Sequence, residues 1–202
     1  MPITTLVFDF GNVLGFFDHG RAIQQLARHA AVSADAIRER LFTEEFEDAY
    51  ESGRIETAEL LAHARALCGF RCPDAEIEAA FADMFWPNED VCRLLPALKS
   101  RYRLFLLSNT NDMHCRWFRR QFAETLNQFD GLVFSHEVGM RKPDPGIYRH
   151  CLQRMGCRPT ECVFVDDLPR NVSAARECGW HGIVYTNIGT LRREFDRLGV
   201  LV

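Results

Sequence analysis

Polar residues that could do chemistry follow apolar runs at several points along the chain. An acid comes directly after Leu6-Val7-Phe8, and a pair of acids comes directly after Val163-Phe164-Val165. A hydroxyl and an amide follow a third apolar run, and a lysine lies in a loop beyond a fourth. The residues concerned are Asp9, Ser108, Asn109, Lys142, Asp166 and Asp167.

The three acids indicate phosphoryl transfer with a metal ion. A phosphate monoester is dianionic, so an attacking carboxylate such as Asp9 meets strong repulsion between like charges. Mg²⁺ held by carboxylates removes that repulsion and joins the nucleophile to the phosphate. Asp166 and Asp167 are adjacent like charges, an arrangement that a bound cation stabilises. We therefore expect Asp9 to be the nucleophile and the paired acids to hold Mg²⁺.

The remaining polar residues fit the same reaction. Ser108, Asn109 and nearby backbone N–H groups can hold the oxygens of a phosphate group. Lys142 can bind the substrate and neutralise charge on both the phosphate and Asp9. Attack by Asp9 would give an acyl phosphate that water hydrolyses, dividing one difficult step into two easier ones. The expected partner is a small-molecule phosphate ester.

The elements that position these residues are short apolar strands alternating with helices. Segments of helical length at 112–122, 145–155 and 171–178 separate the later strands. This alternation predicts a parallel sheet with helices on both faces, and such sheets bind ligands beyond the carboxyl ends of their strands. The predicted strands are Thr5 to Phe8, Leu104 to Leu107, Leu132 to Phe134, Val163 to Val165 and Gly182 to Tyr185.

Residues 17–90 interrupt this α/β pattern with helical periodicity and no convincing strand. Ile23, Leu26, Ala27 and Ala30 recur at helical spacing, as do the residues of a second stripe. The α/β core is therefore predicted to comprise residues 1–16 and 91–202, with residues 17–90 inserted above the carboxyl end of the first strand. The second stripe is Ile77, Phe81, Met84 and Phe85.

Four segments, in this order, resemble the haloacid dehalogenase superfamily of aspartate-nucleophile hydrolases: FDFGNV, LLSNTN, MRKPDPGIY and FVDDLPRNVSAA. The resemblance covers essentially the whole chain. It implies a Rossmann-like core with the insertion acting as a cap over the site. It also implies Asp9 as nucleophile and metal ligand, Ser108 as phosphate ligand and Lys142 as stabilising cation. The implied Mg²⁺ ligands are Asp9, the carbonyl of Gly11, Asp166 and Asp167.

The chain departs from the superfamily's pattern at Gly11. Most phosphatases of the superfamily have a second aspartate there, which protonates the leaving oxygen and then activates water. The glycine form resembles a bacterial branch that includes α-D-glucose-1-phosphate phosphatase. Without the acid, good leaving groups such as sugar 1-phosphates should react best. Asp18 and His19 are candidate substitute donors.

Composition excludes several other classes of protein. The net charge is −4 with both signs interspersed, so no nucleic-acid footprint is indicated. No window resembles a membrane span, and the first residues lack the pattern of a signal peptide. The eight cysteines contain no CxxC pair, which predicts reduced thiols in a cytoplasmic protein.

Two alternative functions fit the same residues. A 2-haloacid dehalogenase also uses an aspartate nucleophile and lacks the second acid, but it needs no metal. The pair Asp166 and Asp167 argues against it, because a metal-free anion site would not gather extra acids. A non-catalytic binding or regulatory protein on the same scaffold is the other alternative, and retention of Asp9, Ser108 and Lys142 argues against that.

Overall fold

A parallel five-stranded sheet forms the centre of the computed structural model, which describes residues 2–202. Its strand order is β5-β4-β1-β6-β7, and every neighbouring pair is parallel. A separate antiparallel ribbon joins β2 to β3. The strands are β1 (Thr5–Phe8), β2 (Gly15–Phe17), β3 (Phe85–Pro87), β4 (Arg103–Ser108), β5 (Gly131–Phe134), β6 (Cys162–Asp166) and β7 (His181–Val184).

The helices fall into an inserted group between β2 and β3 and a core group after β3. The inserted helices are α1 (His19–Ala27), α2 (Ala34–Leu41), α3 (Glu44–Glu51), α4 (Thr57–Cys68) and α5 (Asp74–Ala82). The core helices are α6 (Glu89–Cys92), α7 (Leu95–Lys99), α8 (Asp112–Gln121), α9 (Ala123–Leu126), α10 (Ser135–Val138), α11 (Pro145–Met155), α12 (Pro169–Glu177) and α13 (Ile188–Leu198). A 3₁₀ helix spans Pro159–Glu161.

Alternating side chains of the central strand face two different apolar clusters. Leu6 and Phe8 pack with residues of α7, α8 and α13, whereas Val7 packs with residues of α11 and α12. Successive side chains of a strand point to opposite faces, so a strand covered on both sides must be apolar throughout. The predicted α/β fold, with helices on both faces of a parallel sheet, is confirmed.

The inserted helices bury an apolar cluster of their own. Ile23 and Leu26 of α1 pack there with Ile77 and Phe81 of α5, as the helical spacing predicts. The second predicted stripe extends too far, however. Helix α5 ends at Ala82, and the last two residues of that stripe, Met84 and Phe85, belong to the cluster on the sheet.

The ribbon of β2 and β3 corrects the expectation that residues 17–90 contain no strand. Phe17 pairs with Phe85, and Gly15 pairs with Pro87, where the chain leaves and re-enters the core. Each strand has three residues, too few for an alternating pattern, and the partners are about 70 residues apart. Pairing at such separation leaves no local signal in the sequence.

Among residues 2–202, no helix has the length and apolar content that crossing a membrane requires. The eight cysteines form no disulfide among the described residues.

Candidate active site

The predicted acids and Ser108 lie together at the carboxyl edge of the sheet. Asp9 follows β1, Ser108 ends β4 and Asp166 ends β6. Because β1 lies between β4 and β6 in a parallel sheet, these residues meet above the central strand. Open α/β sheets bind their ligands at this edge.

Lys142 is the buried cation of the site. Its Nζ atom lies 2.7 Å from Oδ1 of Asp9 and 2.7 Å from Oδ2 of Asp166. It also donates a hydrogen bond to the carbonyl of Leu107 at 2.9 Å. Burial acts to lower the pKa of Lys142, but the two carboxylates outweigh it and raise the pKa above its ordinary value. The lysine is therefore a fixed positive charge between two acids.

Asp9 is oriented by two donors to a single oxygen. Its Oδ1 accepts a hydrogen bond from the amide of Phe10 at 2.7 Å and faces Lys142. Its Oδ2 has no hydrogen bond among the described residues. Burial raises the pKa of Asp9 to about 8; Lys142 opposes this rise, and Asp166 and Asp167 add to it. A second positive charge beside these acids would favour the ionised form that nucleophilic attack requires.

The two adjacent acids after β6 have different surroundings. Asp166 is fully buried and accepts hydrogen bonds from Lys142, the side-chain amide of Asn171 and the amide of Leu168. Asp167 accepts one from the side chain of Asn12 at 3.0 Å. Asp166 is thus held on both oxygens, whereas Asp167 retains room for another partner.

The donor set at this edge suits a hard divalent cation. One oxygen each from Asp9, Asp166 and Asp167 lie within 4.8 Å of one another. The turn after β1 is closed by hydrogen bonds from Asn12 N to Gly15 O and from Gly15 N to Phe10 O, and neither bond uses the carbonyl of Gly11. Carboxylate and carbonyl oxygens are the ligands that Mg²⁺ prefers. The chemistry of the site therefore fits the expected metal.

Asn109 connects the loop after β4 to the backbone of Lys142. Its Nδ2 donates to the carbonyl of Lys142 at 2.9 Å, and its Oδ1 accepts from the amide of Lys142 at 2.8 Å. Both polar ends of this side chain are engaged, so Asn109 positions Lys142. Its expected contact with substrate stays a prediction, as does that of Ser108, whose hydroxyl donates to the Asn109 carbonyl at 3.3 Å.

A cavity of about 220 Å³ lies between this edge and the inserted helices. Phenylalanines from both parts of the chain line it, and so do several charged residues that sequence reasoning missed. Glu47 and Glu51 come from α3, while Arg141 and Arg170 come from the core. Arg141 and Arg170 lie inside segments quoted for the resemblance, but Glu47 and Glu51 carry no local signal.

The two candidate substitute donors near Gly11 differ in position. Asp18 is exposed and caps α1, because its Oδ1 accepts from the amide of Gly20 at 2.7 Å. His19 lines the cavity, with its ring 5.3 Å from those of Phe17 and Phe42. Asp18 thus caps a helix and does not line the cavity, and the expectation that Asp18 or His19 donates a proton to substrate stays a prediction.

The fold and the site define an α/β protein with a buried aspartate–lysine pair beside a cluster of acids. The sequence matches the family model for haloacid dehalogenase-like hydrolases over residues 3–179. The chain belongs to this family, and the predicted superfamily is confirmed.

Proteins with known structure or activity resemble the chain over nearly its full length. It is 28% identical to D-ribitol-5-phosphate phosphatase of Bacteroides thetaiotaomicron over 200 residues, covering 95% of this chain and 96% of the relative. A family enzyme from the same organism, solved with magnesium and inorganic phosphate, has a TM-score of 0.80 and 28% identity, covering 91% of this chain and 94% of that one. A family hydrolase of Porphyromonas gingivalis has a TM-score of 0.84 and 25% identity, with both chains covered completely. These likenesses confirm the expectation of a phosphatase-type hydrolase.

Proposed function

We propose that this enzyme is a Mg²⁺-dependent phosphatase that hydrolyses a small phosphorylated metabolite through an aspartyl phosphate on Asp9. The observation that carries the proposal is Lys142, fixed 2.7 Å from both Asp9 and Asp166. A buried lysine held by two carboxylates presents positive charge where a phosphate dianion must approach the nucleophile.

Mg²⁺ would be held by Asp9, the Gly11 carbonyl and Asp167, and Asp166 would support the site indirectly. When bound, the ion neutralises charge on the phosphate and aligns it with the nucleophile. Asp166 suits an indirect role, because Lys142, Asn171 and a backbone amide already occupy its oxygens. Without a cation, the negative charges of Asp9 and Asp167 would repel each other.

Each residue of the site has its own role in the reaction. Oδ2 of Asp9 attacks phosphorus and the ester oxygen departs, which leaves a phosphoryl group on the aspartate. Ser108 and backbone amides beyond β4 hold the phosphate oxygens. Lys142 compensates their charge in both steps. Water then attacks phosphorus, and inorganic phosphate leaves with Asp9 restored.

Residues 17–90 would act as a cap that closes the cavity and selects the substrate. The inserted helices have their own apolar cluster and reach the core through the ribbon of β2 and β3. They contribute phenylalanines, His19, Glu47 and Glu51 to the cavity wall. Carboxylates accept hydrogen bonds from hydroxyl groups, and aromatic faces pack against carbon-bound hydrogens of sugars.

The substrate that fits this wall is a sugar or polyol phosphate. The cavity of about 220 Å³ restricts the choice to small molecules. The relative in Bacteroides thetaiotaomicron acts on a phosphorylated polyol, which is the same chemical class. A sugar 1-phosphate stays the first candidate predicted from Gly11, since its leaving group is comparatively stable.

A screen of phosphorylated sugars and polyols, with Mg²⁺ and with EDTA, tests this function. We expect phosphate release that requires Mg²⁺ and is lost in Asp9→Asn. Full activity after exhaustive chelation would contradict metal dependence, and release of halide from a 2-haloacid without metal would establish the dehalogenase instead.

A further inference from the structure

A side chain at residue 11 would press against the ring of Phe17. A Cβ atom built on Gly11 would lie 3.1 Å from Cε1 of Phe17, closer than carbon atoms ordinarily approach. Phe17 in turn packs against Phe85 across the ribbon. An ester oxygen that leaves without a proton departs as an alkoxide, so a donor is worth a large rate factor. Any such donor must come from elsewhere around the cavity.

Glu51 reaches the cavity from the inserted helices. It is the last residue of α3, and the chain beyond it lies against the core at α10. A Cβ built on Gly53 would lie 2.5 Å from the carbonyl of His136, which shows how closely the two parts meet there. The Glu51 side chain is 19% exposed and lines the same cavity as Asp9 and Lys142.

One oxygen of Glu51 is anchored and the other is available. Oε2 lies 2.8 Å from Nη2 of Arg141, the residue directly before Lys142. Oε1 has no hydrogen bond among the described residues. The anchor thus fixes the carboxyl through the residue that precedes Lys142, and Oε1 is left to interact with a bound substrate.

The groups around Glu51 shift its pKa in opposite directions. Burial raises the pKa of Glu51 most, Arg141 and Lys142 lower it, and Glu47 and Asp48 raise it, which gives a pKa of about 7. A group that titrates near neutral pH can both give and take a proton at that pH.

Three other titratable groups of the cavity wall, namely His114, Tyr50 and His19, are less suited to donate. Burial lowers the pKa of His114 to about 3, so this imidazole stays neutral. The hydroxyl of Tyr50 is engaged by Thr57 and by the amide of Met113, and burial raises its pKa to about 12. Burial also lowers the pKa of His19, whose ring lies beside two phenylalanines.

We propose that Glu51 is the general acid and base of this enzyme, in place of the side chain that Gly11 lacks. The proposal rests on the phosphatase function proposed above. As Asp9 bonds to phosphorus and the ester P–O bond breaks, the proton of Glu51 passes to the departing oxygen and an alcohol leaves. Water then bonds to phosphorus and gives its proton to the Glu51 carboxylate. The bond from phosphorus to Asp9 breaks, and phosphate is released with Glu51 protonated again.

A comparison of Glu51→Gln with Asp48→Asn on two esters tests this role. Asp48 is the matched control, because Arg141 pairs with it at 2.9 Å just as it pairs with Glu51, yet Asp48 does not line the cavity. The esters are 4-nitrophenyl phosphate, whose leaving group needs no proton, and a primary alkyl phosphate such as a hexose 6-phosphate. The readout is kcat/KM with saturating Mg²⁺.

We expect Glu51→Gln to lose about 10²-fold or more on the alkyl ester and far less on the nitrophenyl ester. Asp48→Asn should keep the wild-type ratio between the two esters. The wild-type rate on the alkyl ester should fall as pH rises above about 7, and Glu51→Gln should lack that fall.

Three results would overturn the role of Glu51. They are an equal loss on both esters in Glu51→Gln, the same selective loss in Asp48→Asn, or a selective loss in His19→Asn with none in Glu51→Gln. A wild-type enzyme that hydrolyses neither ester with Mg²⁺ would instead overturn the proposed function itself, so the two failures are distinguishable.

Discussion

The ammonium group of Lys142 lies 2.7 Å from the carboxylate of Asp9, in a site where the lysine is 2% exposed. The same ammonium lies 2.7 Å from Asp166, so one cation balances two buried acids. An acid left without this partner would bear the full cost of losing water. Loss of Lys142 would therefore lower the stability of the core and also leave the negative charge of the site unbalanced.

Lys142→Met should destabilise the protein by about 3–5 kcal/mol, because it leaves two buried carboxylates unpaired. Lys99→Met is the matched control, since Lys99 pairs with Asp130 at 2.5 Å near the surface. The control should cost about 1 kcal/mol or less. Urea unfolding of both variants at neutral pH measures the difference. Equal small losses would show that the lysine does not balance the acids.

Asp167→Asn and Asp166→Asn should separate metal binding from stability. Asp167→Asn should weaken Mg²⁺ binding about tenfold or more with little change in stability, since a direct ligand matters at least as much as a supporting one. Asp166→Asn places an amide against the donors Lys142 and Asn171 and should cost about 1–3 kcal/mol.

Calorimetric titration with Mg²⁺, together with thermal unfolding in EDTA, distinguishes the two effects. A loss of Mg²⁺ affinity confined to Asp166→Asn would reverse the roles assigned to the two acids.

Stability should fall as pH rises from about 4.5 to about 7 because of Glu51. Its pKa is raised from 4.5 to about 7, so the folded state keeps a proton that the unfolded state has already released in this window. The contribution of Glu51 to the free energy of unfolding is therefore largest below pH 4.5 and falls until about pH 7. After allowance for partial exposure, the contribution is about 2 kcal/mol.

Glu51→Gln should remove this part of the slope, measured as urea midpoints in EDTA across the same range. Asp48→Asn should keep it, because the hydrogen bonds from Arg54 and Arg141 hold the pKa of Asp48 below its ordinary value. An unchanged slope in Glu51→Gln would show that Glu51 is ionised throughout the range.

Gly11→Asp should be inactive or unstable alone and should recover when combined with Phe17→Ala. The new side chain meets the Phe17 ring, whose removal opens the space that the carboxyl needs. In the double variant, the added acid should raise the rate on alkyl esters more than on aryl esters. Rates on a hexose 6-phosphate and on 4-nitrophenyl phosphate provide the measurement. A single variant that is already as active as wild type would show that Phe17 does not close this position.

Sequence patterns reveal the strands and the chemistry, but not the contacts between distant segments. Strands such as β1 and β6 are visible because an apolar run ends in an acid. The ribbon of β2 and β3 joins residues that are about 70 positions apart. Arg141 and Asp48 are 93 positions apart, and neither contact leaves a local pattern in the sequence.

The sequence also does not show which residues hold the acids in place, even where those residues lie inside the segments that resemble the superfamily. Asn12 and Asn171 stand inside segments that resemble the superfamily, yet only the folded chain shows that they hold Asp167 and Asp166. In the sequence, Glu51 is one of several charged residues of a helix, and only the folded chain shows that Arg141 pairs with it.

Trapping of the phosphorylated aspartate tests the central claim most directly. The enzyme is mixed with substrate and Mg²⁺, quenched in acid and reduced with borohydride, which converts an aspartyl phosphate to homoserine. Peptide mass spectrometry should find homoserine at position 9 only when substrate and Mg²⁺ are both present, and never in Asp9→Asn. Active turnover without modification of residue 9, together with wild-type activity in Asp9→Asn, would contradict the role of Asp9 as the nucleophile.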